Sequence, residues 1–456
     1  MMGQLAASGH ELTASPDEAD VIVVNTCSFI DPAKQESIDT IIEMGRFKET
    51  GKAQKLIVAG CMVERYRDQI QDQLPEVDAL IGTNELDRIV GIVNSNAKAP
   101  EIAPDPYLYH DMTPRVFTTP RQFAYIKISE GCDHPCTFCV IPQYRGKMRS
   151  RRYESVMAEA ERMFRQQGVR EINLIGQDTT AYGEDLGLRD GLATLMAGLA
   201  SIETEIPKWV RFLYCYPNRI TPKLLETIAQ HRDLVKYIDM PLQHASGNVL
   251  KRMKRGSNGD FFLKILEKIR KTIPGVTIRT SMIVGFPGET DKDFDELCQF
   301  TEAAQFDRLG VFSYSDEDTS ASYALDGKVD AKTIYNRKRR LMSIQRKISK
   351  KRNKLLIGQE LPVLVEGPSA DTELLWQGRL QSQAPEIDGV VYINDFGPAA
   401  PKTGEIRKIR ITEAHDYDLV GELVDGSEPG YTPQRATGGL IQILPLHREA
   451  SVPLSR

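Results

Sequence analysis

Three cysteines stand within eight residues, Cys132, Cys136 and Cys139, in the segment Glu130-Gly131-Cys132-Asp133-His134-Pro135-Cys136-Thr137-Phe138-Cys139. The segment follows directly on an apolar run, Phe123 to Ile128, that reads as a strand. Thiols so close in sequence share one tight loop, and what they hold dictates what surrounds them. The chain has seven cysteines, an odd number, spread over 456 residues with no charged-then-apolar export signal ahead of them. That usage argues against a disulfide framework and for metal ligation, catalysis or burial. A structural zinc site wants four ligands, usually as two separated pairs, and the nearby fourth candidate, His134, lies inside the loop and is badly placed to close a tetrahedron. A redox dithiol accounts for Cys136 and Cys139 but not for Cys132 four residues upstream. Three thiolates can instead hold three irons of a four-iron four-sulfur cluster, with the fourth iron open to a ligand that is not protein.

The chain around the loop has an α/β pattern. Apolar runs at Val21 to Val24, Leu56 to Val58 and Ala79 to Ile81 are separated by helical spacing such as Ile38, Ile41 and Ile42, which predicts a parallel sheet covered on both faces. Cys27 and Cys61 fall at the carboxyl ends of the first two runs, where such sheets carry their chemistry. A segment rich in Pro and polar residues, about Asn94 to Arg121, reads as a linker. Six further strands are predicted at Phe123 to Ile128, Glu171 to Ile175, Val210 to Tyr214, Tyr237 to Met240, Thr277 to Ile283 and Leu309 to Phe312. Six βα units make a partial barrel, since a full eight-unit barrel takes about 250 residues, and the triad then follows its first strand, a catalytic position. Cys215 and Cys298 have no cysteine nearby and read as buried small hydrophobes.

Between Lys332 and Lys354 stand eleven Lys or Arg and no Asp or Glu, with Leu341, Ile344, Ile348 and Leu355 at helical spacing, which predicts an amphipathic basic helix. Most of those charges read as a solvated face, with phosphate contact on a ribonucleoprotein as the functional alternative. From Gly358 to Glu422 short β-like runs such as Pro362 to Val365 and Val390 to Ile393 predict a small barrel of the OB-like kind. The expected domains are 1–95, 118–330, a helix over 331–356, the small barrel over 357–423 and a Gly-, Pro- and Ser-rich tail over 424–456. With 41% hydrophobic residues, no apolar run near the roughly 20 residues that span a bilayer, and a formal charge of −5, the composition predicts a cytoplasmic globular protein and excludes a uniformly basic nucleic-acid coat.

The cysteine loop resembles the signature of the radical S-adenosylmethionine superfamily, and its continuation Val140-Ile141-Pro142-Gln143-Tyr144-Arg145-Gly146 is similar to the methylthiotransferase family. Leu174-Ile175-Gly176-Gln177-Asp178, Pro241-Leu242-Gln243-His244-Ala245-Ser246, Leu250-Lys251-Arg252-Met253 and Ile283-Val284-Gly285-Phe286-Pro287-Gly288-Glu289-Thr290 resemble it too, so the likeness spans nearly the whole chain. It implies an auxiliary cluster in the front domain, radical chemistry in the middle and a substrate-binding TRAM domain as the small barrel. S-adenosylmethionine would chelate the open iron through its amino and carboxylate groups. Gly176 and Gly285, lacking a Cβ, would let the backbone approach it, and Gln177 and Asp178 could hydrogen-bond its amino or ribose groups. Gln243 and His244 end a strand at the same mouth, where His244 is a candidate substrate contact.

Within the family the signatures lean to the branch acting on an aspartate of ribosomal protein S twelve rather than the branch acting on an adenosine of transfer RNA. Asn25-Thr26-Cys27-Ser28-Phe29-Ile30-Asp31, Ser129-Glu130-Gly131, Thr137-Phe138 and Gln243-His244 match the protein-modifying form. Charge agrees: Gly358 to Glu422 holds twelve Asp or Glu against five Lys or Arg, a formal −7, which suits a basic protein better than a phosphate backbone, although an acidic surface kept for solubility is the competing reading. The implied mechanism uses S-adenosylmethionine twice, once to methylate a sulfide of the auxiliary cluster and once to make a 5′-deoxyadenosyl radical that takes hydrogen from the aspartate β-carbon. Implied partners are the small ribosomal subunit and an electron donor such as flavodoxin or ferredoxin, with the enzyme a monomer. Family members carry three front-domain cysteines, of which Cys27 and Cys61 match here. The third ligand and the first strand that carries it are missing from this sequence, which a misplaced start explains, with a genuine variant that has a weakened auxiliary cluster as the alternative.

Overall fold

The computed structural model describes residues 1–95, 107–372 and 374–424. Part of the expected linker and, apart from Val424, the expected tail lie outside the described residues. The described chain forms two compact units, Met1–Thr119 with Gln143–Arg145, and Pro120–Pro142 with Gly146–Val424.

In the first unit Val21–Thr26, Lys55–Gly60 and Ala79–Ile81 make a parallel sheet in that order. The middle strand is buried on both sides because its side chains alternate between two apolar layers. Leu56 and Val58 meet Ile41, Met62, Val63 and Ile70, whereas Ile57 and Ala59 meet Leu5, Ile81, Ile89 and Ile92. Each such side chain taken from water contributes roughly 1.5–3 kcal/mol. In the helix Asp31–Gly45 only part of the expected apolar stripe is used: Ile41 is buried, and Ile42, 100° further round, is 41% exposed.

In the second unit the six predicted strands form and run parallel. Phe123–Lys127, Glu171–Ile175 and Trp209–Phe212 pair in order, as do Tyr237–Asp239, Thr277–Val284 and Arg308–Ser313, and a bridge from Val210 to Leu234 joins the two sets. Helices such as Tyr153–Gln166 and Asp291–Ala304 intervene, giving the partial βα barrel. The helix Ala331–Lys354, N-capped by Asp330 accepting from Thr333 N–H at 3.0 Å, buries Leu341 and Ile348. Leu355 is 67% exposed, not packed as its spacing suggests, because the helix stops at Lys354.

Glu360–Pro368, Trp376–Leu380, Val391–Asp395, Leu419–Leu423 and Ile406–Ala414 close, in that spatial order, into a small barrel around Val363, Val365, Val391, Ile409 and Leu419. This barrel sits against the amino ends of the larger one. Glu171, the first residue of its strand, accepts from Arg211 Nε at 2.8 Å and from Arg379 Nη2 at 2.7 Å, with all three side chains buried. Burial pushes the Glu171 carboxyl up, but the two guanidiniums outweigh it and hold the group below the usual carboxylate range. Arg379 also donates to Glu366 at 2.6 Å, Arg211 to the Gln381 and Gln383 carbonyls, and Tyr237 Oη to Asp388 at 2.7 Å. With that end closed, the carboxyl ends of the strands are left for a site.

Candidate functional site

The triad loop leaves the first barrel strand through a short antiparallel pair, Ser129–Glu130 with Arg149–Ser150. Gly131 sits at φ +81°, and a Cβ there would lie 2.2 Å from the Lys147 carbonyl oxygen, so the turn into Cys132 admits only glycine. Beyond it, Cys132 N–H donates to the Gly146 carbonyl at 3.2 Å and Met148 N–H to Asp133 Oδ1 at 3.1 Å. Thr137 fixes the far side: its N–H and hydroxyl donate to the Met253 and Arg252 carbonyls at 3.2 and 2.9 Å, and its carbonyl accepts from Ser322 N–H at 2.8 Å. Arg252 Nε in turn donates to the Pro287 carbonyl at 2.8 Å, tying the Gly285–Glu289 turn to the loop.

All three thiols are free and partly buried. Burial pushes the Cys132 thiol up and the Cys139 thiol up to about 12, against smaller opposing hydrogen bonds from the backbone of His134 and Ile141. Arg255, 8% exposed, points Nη1 at Cys136 Sγ from 3.5 Å while Nη2 donates to the Pro241 carbonyl at 2.7 Å. Its guanidinium also lies 4.6 Å over the Tyr216 ring, whose other partner is the His134 imidazole, stacked at 3.7 Å. His134 Nε2 is 2.6 Å from Asp178 Oδ2, and Asp178 Oδ1 accepts from Thr180 N–H at 2.9 Å. A carboxylate, an imidazole, a phenol and a guanidinium thus line one side of the thiol loop. Among the described residues no three His, Cys, Asp or Glu converge to hold one metal ion, which is the arrangement zinc needs. Three free thiols on one loop suit an iron–sulfur cluster, in which each thiolate would take its own iron, and Arg255 beside Cys136 would offset part of the added negative charge.

In the first unit Thr26 and Gly60 are register partners, so Cys27 and Cys61, the next residues, come side by side at the carboxyl edge of the sheet. Gly60 has φ +107°, and a Cβ there would lie 2.5 Å from the Thr26 carbonyl oxygen; the approach of the two strand ends depends on its absence. Cys61 opens the helix Cys61–Gln73, and Arg145 Nη2 lies 3.2 Å from its sulfur. Cys27 N–H donates to Ser37 Oγ at 3.1 Å.

Comparisons with known proteins match three stretches of the chain. The model of the radical SAM superfamily matches residues 126–301, that of the uncharacterized protein family UPF0004 residues 1–82, and that of the TRAM domain residues 357–424. A protein of Solibacter usitatus (strain Ellin6076) named ribosomal protein uS12 methylthiotransferase RimO is 69% identical over 445 residues, 97% of this chain and 95% of that one. The chain belongs to the RimO family. Proteins of that name from Koribacter versatilis (strain Ellin345) and Myxococcus xanthus (strain DK1622) are 56% and 46% identical, over 93% of each chain for the first and over 94% of this chain and 89% of the other for the second.

In this RimO-family chain the remaining expected site residues are placed as follows. Gly176, Gln177 and Asp178 follow the second barrel strand, and Gln177 Oε1 is buried without a hydrogen-bond partner. A Cβ at Gly176 would lie 2.5 Å from Ser129 Oγ, itself buried and unpartnered. Asp178 is committed to His134 and Thr180, and Gly285, at φ +80°, leaves its Cβ space to Ile334 of the helix Ala331–Lys354. The turn after Gly285 folds on itself, with Glu289 accepting from Phe286 N–H at 3.1 Å and from Arg337 at 3.2 Å, and burial pushes its carboxyl up to about 7. His244 is fully buried: its Nδ1 accepts from Ser246 N–H at 3.0 Å, its Nε2 has no hydrogen-bond partner, and burial pushes its pKa down to about 3. Cys215 and Cys298 are buried, as their isolation in the sequence suggests. Sequence reasoning missed Tyr216 and Arg255. Tyr216 could have been found by its place just after the third strand, whereas nothing local marks Arg255.

Proposed function

We propose that this chain is a radical S-adenosylmethionine methylthiotransferase that adds a methylthio group to the β-carbon of an aspartate in ribosomal protein uS12. The carrying observation is the triad loop of a RimO-family chain, three free thiols clamped at the carboxyl end of the first barrel strand. Cys132, Cys136 and Cys139 would hold a four-iron four-sulfur cluster, with S-adenosylmethionine against Gly176, Gln177, Asp178 and Gly285; the unpartnered Gln177 Oε1 supports that placement. Cys27 and Cys61 would supply ligands to an auxiliary cluster. When bound, these groups supply a low-potential electron and a radical able to take hydrogen from an unactivated carbon, which a side-chain base with a pKa near neutrality could not deprotonate.

The chain's own residues do the positioning. Asp178 holds His134, and with it the inner part of the thiol loop, against Tyr216. Arg255 sets a fixed positive charge beside Cys136, and Thr137 pins the loop to Arg252 and Met253. The acidic small barrel, at the amino ends of the strands, would face basic protein away from the reacting carbon. No helix among the described residues is long and apolar enough to cross a membrane. In this reading the enzyme works in the cytoplasm as a monomer on the small ribosomal subunit and takes electrons from a flavodoxin or ferredoxin.

The test is a mass spectrum. In a deletion strain uS12 should lose the mass of one methylthio group while total transfer RNA keeps its methylthioadenosine, and the opposite result overturns the assignment. In vitro, the anaerobically reconstituted protein with dithionite and S-adenosylmethionine should release 5′-deoxyadenosine.

A further inference from the structure

We propose that the solvent face of the helix Ala331–Lys354 is a docking surface for the phosphate backbone of double-helical RNA. If the activity proposed above holds, the enzyme then meets uS12 as part of a ribonucleoprotein; the RNA binding itself does not rest on that activity.

The eleven cations of this helix divide into two sets. Arg337 is buried and pairs with Glu289 at 3.2 Å and Asp291 at 2.8 Å, Arg340 pairs with Asp295 at 2.8 Å, and Arg352 pairs with Asp307. Arg346 and Lys350 share one carboxylate, Asp416, at 3.9 and 3.2 Å. Lys338 is exposed and has no ion pair among the described residues but lies about 100° round the helix from its nearest neighbour in the row; Lys332, Arg339, Lys347, Lys351 and Lys354 are likewise exposed and have no ion pair among the described residues. At 100° per residue these five fall within about 120° of one another, opposite Leu341 and Ile348, in a row about 33 Å long.

Helix stability does not account for that row. Lys332 lies in the first turn, against the positive end of the helix, and Lys347 and Lys351 are like charges one turn apart, as are Arg346, Lys350 and Lys354. Only the last-turn cations favour the helix. A chain with a formal charge of −5 that keeps an acid-free run of 23 residues from Lys332 to Lys354 has gathered its positive charge in one line. A line of charge is complementary to a polymer with regularly repeating phosphates. Membrane insertion has little to use on this face, because its one large exposed hydrophobic is Tyr335, and Arg339 lies 5.5 Å over that ring. The Tyr335–Arg339 stack instead offers a flat cationic platform beside a sugar or base.

The row also has a direction. At its start Ile334 fills the space at Gly285, at the carboxyl end of the fifth barrel strand, and near its end Asn353 donates to the His415 carbonyl of the small barrel at 3.2 Å. RNA lying along it would therefore begin beside the mouth of the radical barrel and lead away toward its base.

The test is fluorescence anisotropy of the full chain with a labelled RNA duplex of arbitrary sequence, across about 50 to 200 mM salt. Substituting Lys332→Ala, Arg339→Ala, Lys347→Ala, Lys351→Ala and Lys354→Ala together keeps the helix, since alanine is its best former. The variant should bind at least about tenfold more weakly, with the slope of log K against log salt reduced by about three to five. Its 5′-deoxyadenosine formation should match the parent's. A control, Lys264→Ala with Lys268→Ala and Lys271→Ala on another exposed helix face, should bind RNA as the parent does. The proposal fails if the five-site variant binds as tightly as the parent, if the control loses as much, or if the parent binds anionic lipid vesicles but not RNA. If RNA binding behaves as expected and no chain modifies uS12, the docking surface stands and the activity proposed above falls.

Discussion

The Cys132–Cys136–Cys139 loop and the Cys27–Cys61 pair put thiols in the same kind of place, the carboxyl edge of a parallel sheet, by opposite routes. The loop gathers its sulfurs by chain connectivity, and distant segments only clamp it: Gly146, Arg252, Met253 and Ser322 each hold it through one backbone group. The pair has no connectivity to rely on. Cys27 and Cys61 are 34 residues apart and meet because Thr26 pairs with Gly60 in a sheet whose register is set by its two apolar layers. A site of the first kind can be emptied without unfolding anything, whereas a site of the second kind is only as sound as the sheet beneath it.

The strongest test of that contrast is Cys132→Ala with Cys136→Ala and Cys139→Ala, which should take 5′-deoxyadenosine formation to background and remove the loop's iron while the circular dichroism spectrum stays unchanged. Surviving turnover would end the cluster reading of the loop. Next in size, Cys27→Ala with Cys61→Ala should abolish methylthiolation of uS12 yet leave 5′-deoxyadenosine formation as it was; loss of both together would mean that the two sites are not separable. A smaller effect is expected of Arg255→Met, which removes a charge next to Cys136 without touching a thiol. Turnover should fall roughly 10–100-fold with iron retained and the cluster harder to reduce in a redox titration, and Arg255→Lys should recover part of it. Smallest in activity are the two glycines. Gly60→Ala should lower stability by about 1–3 kcal/mol in urea denaturation, and Gly131→Ala should show its strain mainly as poor iron loading.

The same contrast decides what could be read before the fold was known. The strands at Glu171–Ile175 and Ala79–Ile81 fall on the predicted residues, and the other barrel strands differ by a residue or two, because continuous apolar runs between turns leave a parallel sheet few alternatives. The triad is equally plain, its chemistry being packed into one loop. What escaped is whatever depends on residues far apart: Arg255 reaches Cys136 across 119 positions, and in the sequence it is one more basic residue after Lys254. Ile42 and Leu355 show the opposite error, in which apolar spacing promises burial that the neighbouring elements do not provide. His244 reads as a polar residue at a strand end and lies inside the packing, where only its hydrogen bond from Ser246 gives away its neutral state.

The buried Arg211–Glu171–Arg379 cluster bears on how this architecture can be taken apart. A truncation after the long basic helix would leave the Arg211–Glu171 pair without Arg379 and without the Gln381 and Gln383 carbonyls, baring a charged floor short of its hydrogen-bond partners where the parent has a sealed one. Chimaeras that borrow a TRAM module from a relative therefore have to bring a matching partner for Glu171, and a barrel that cannot be unplugged cannot serve as a swinging arm: whatever docks on it is presented to the rest of the enzyme at a fixed address.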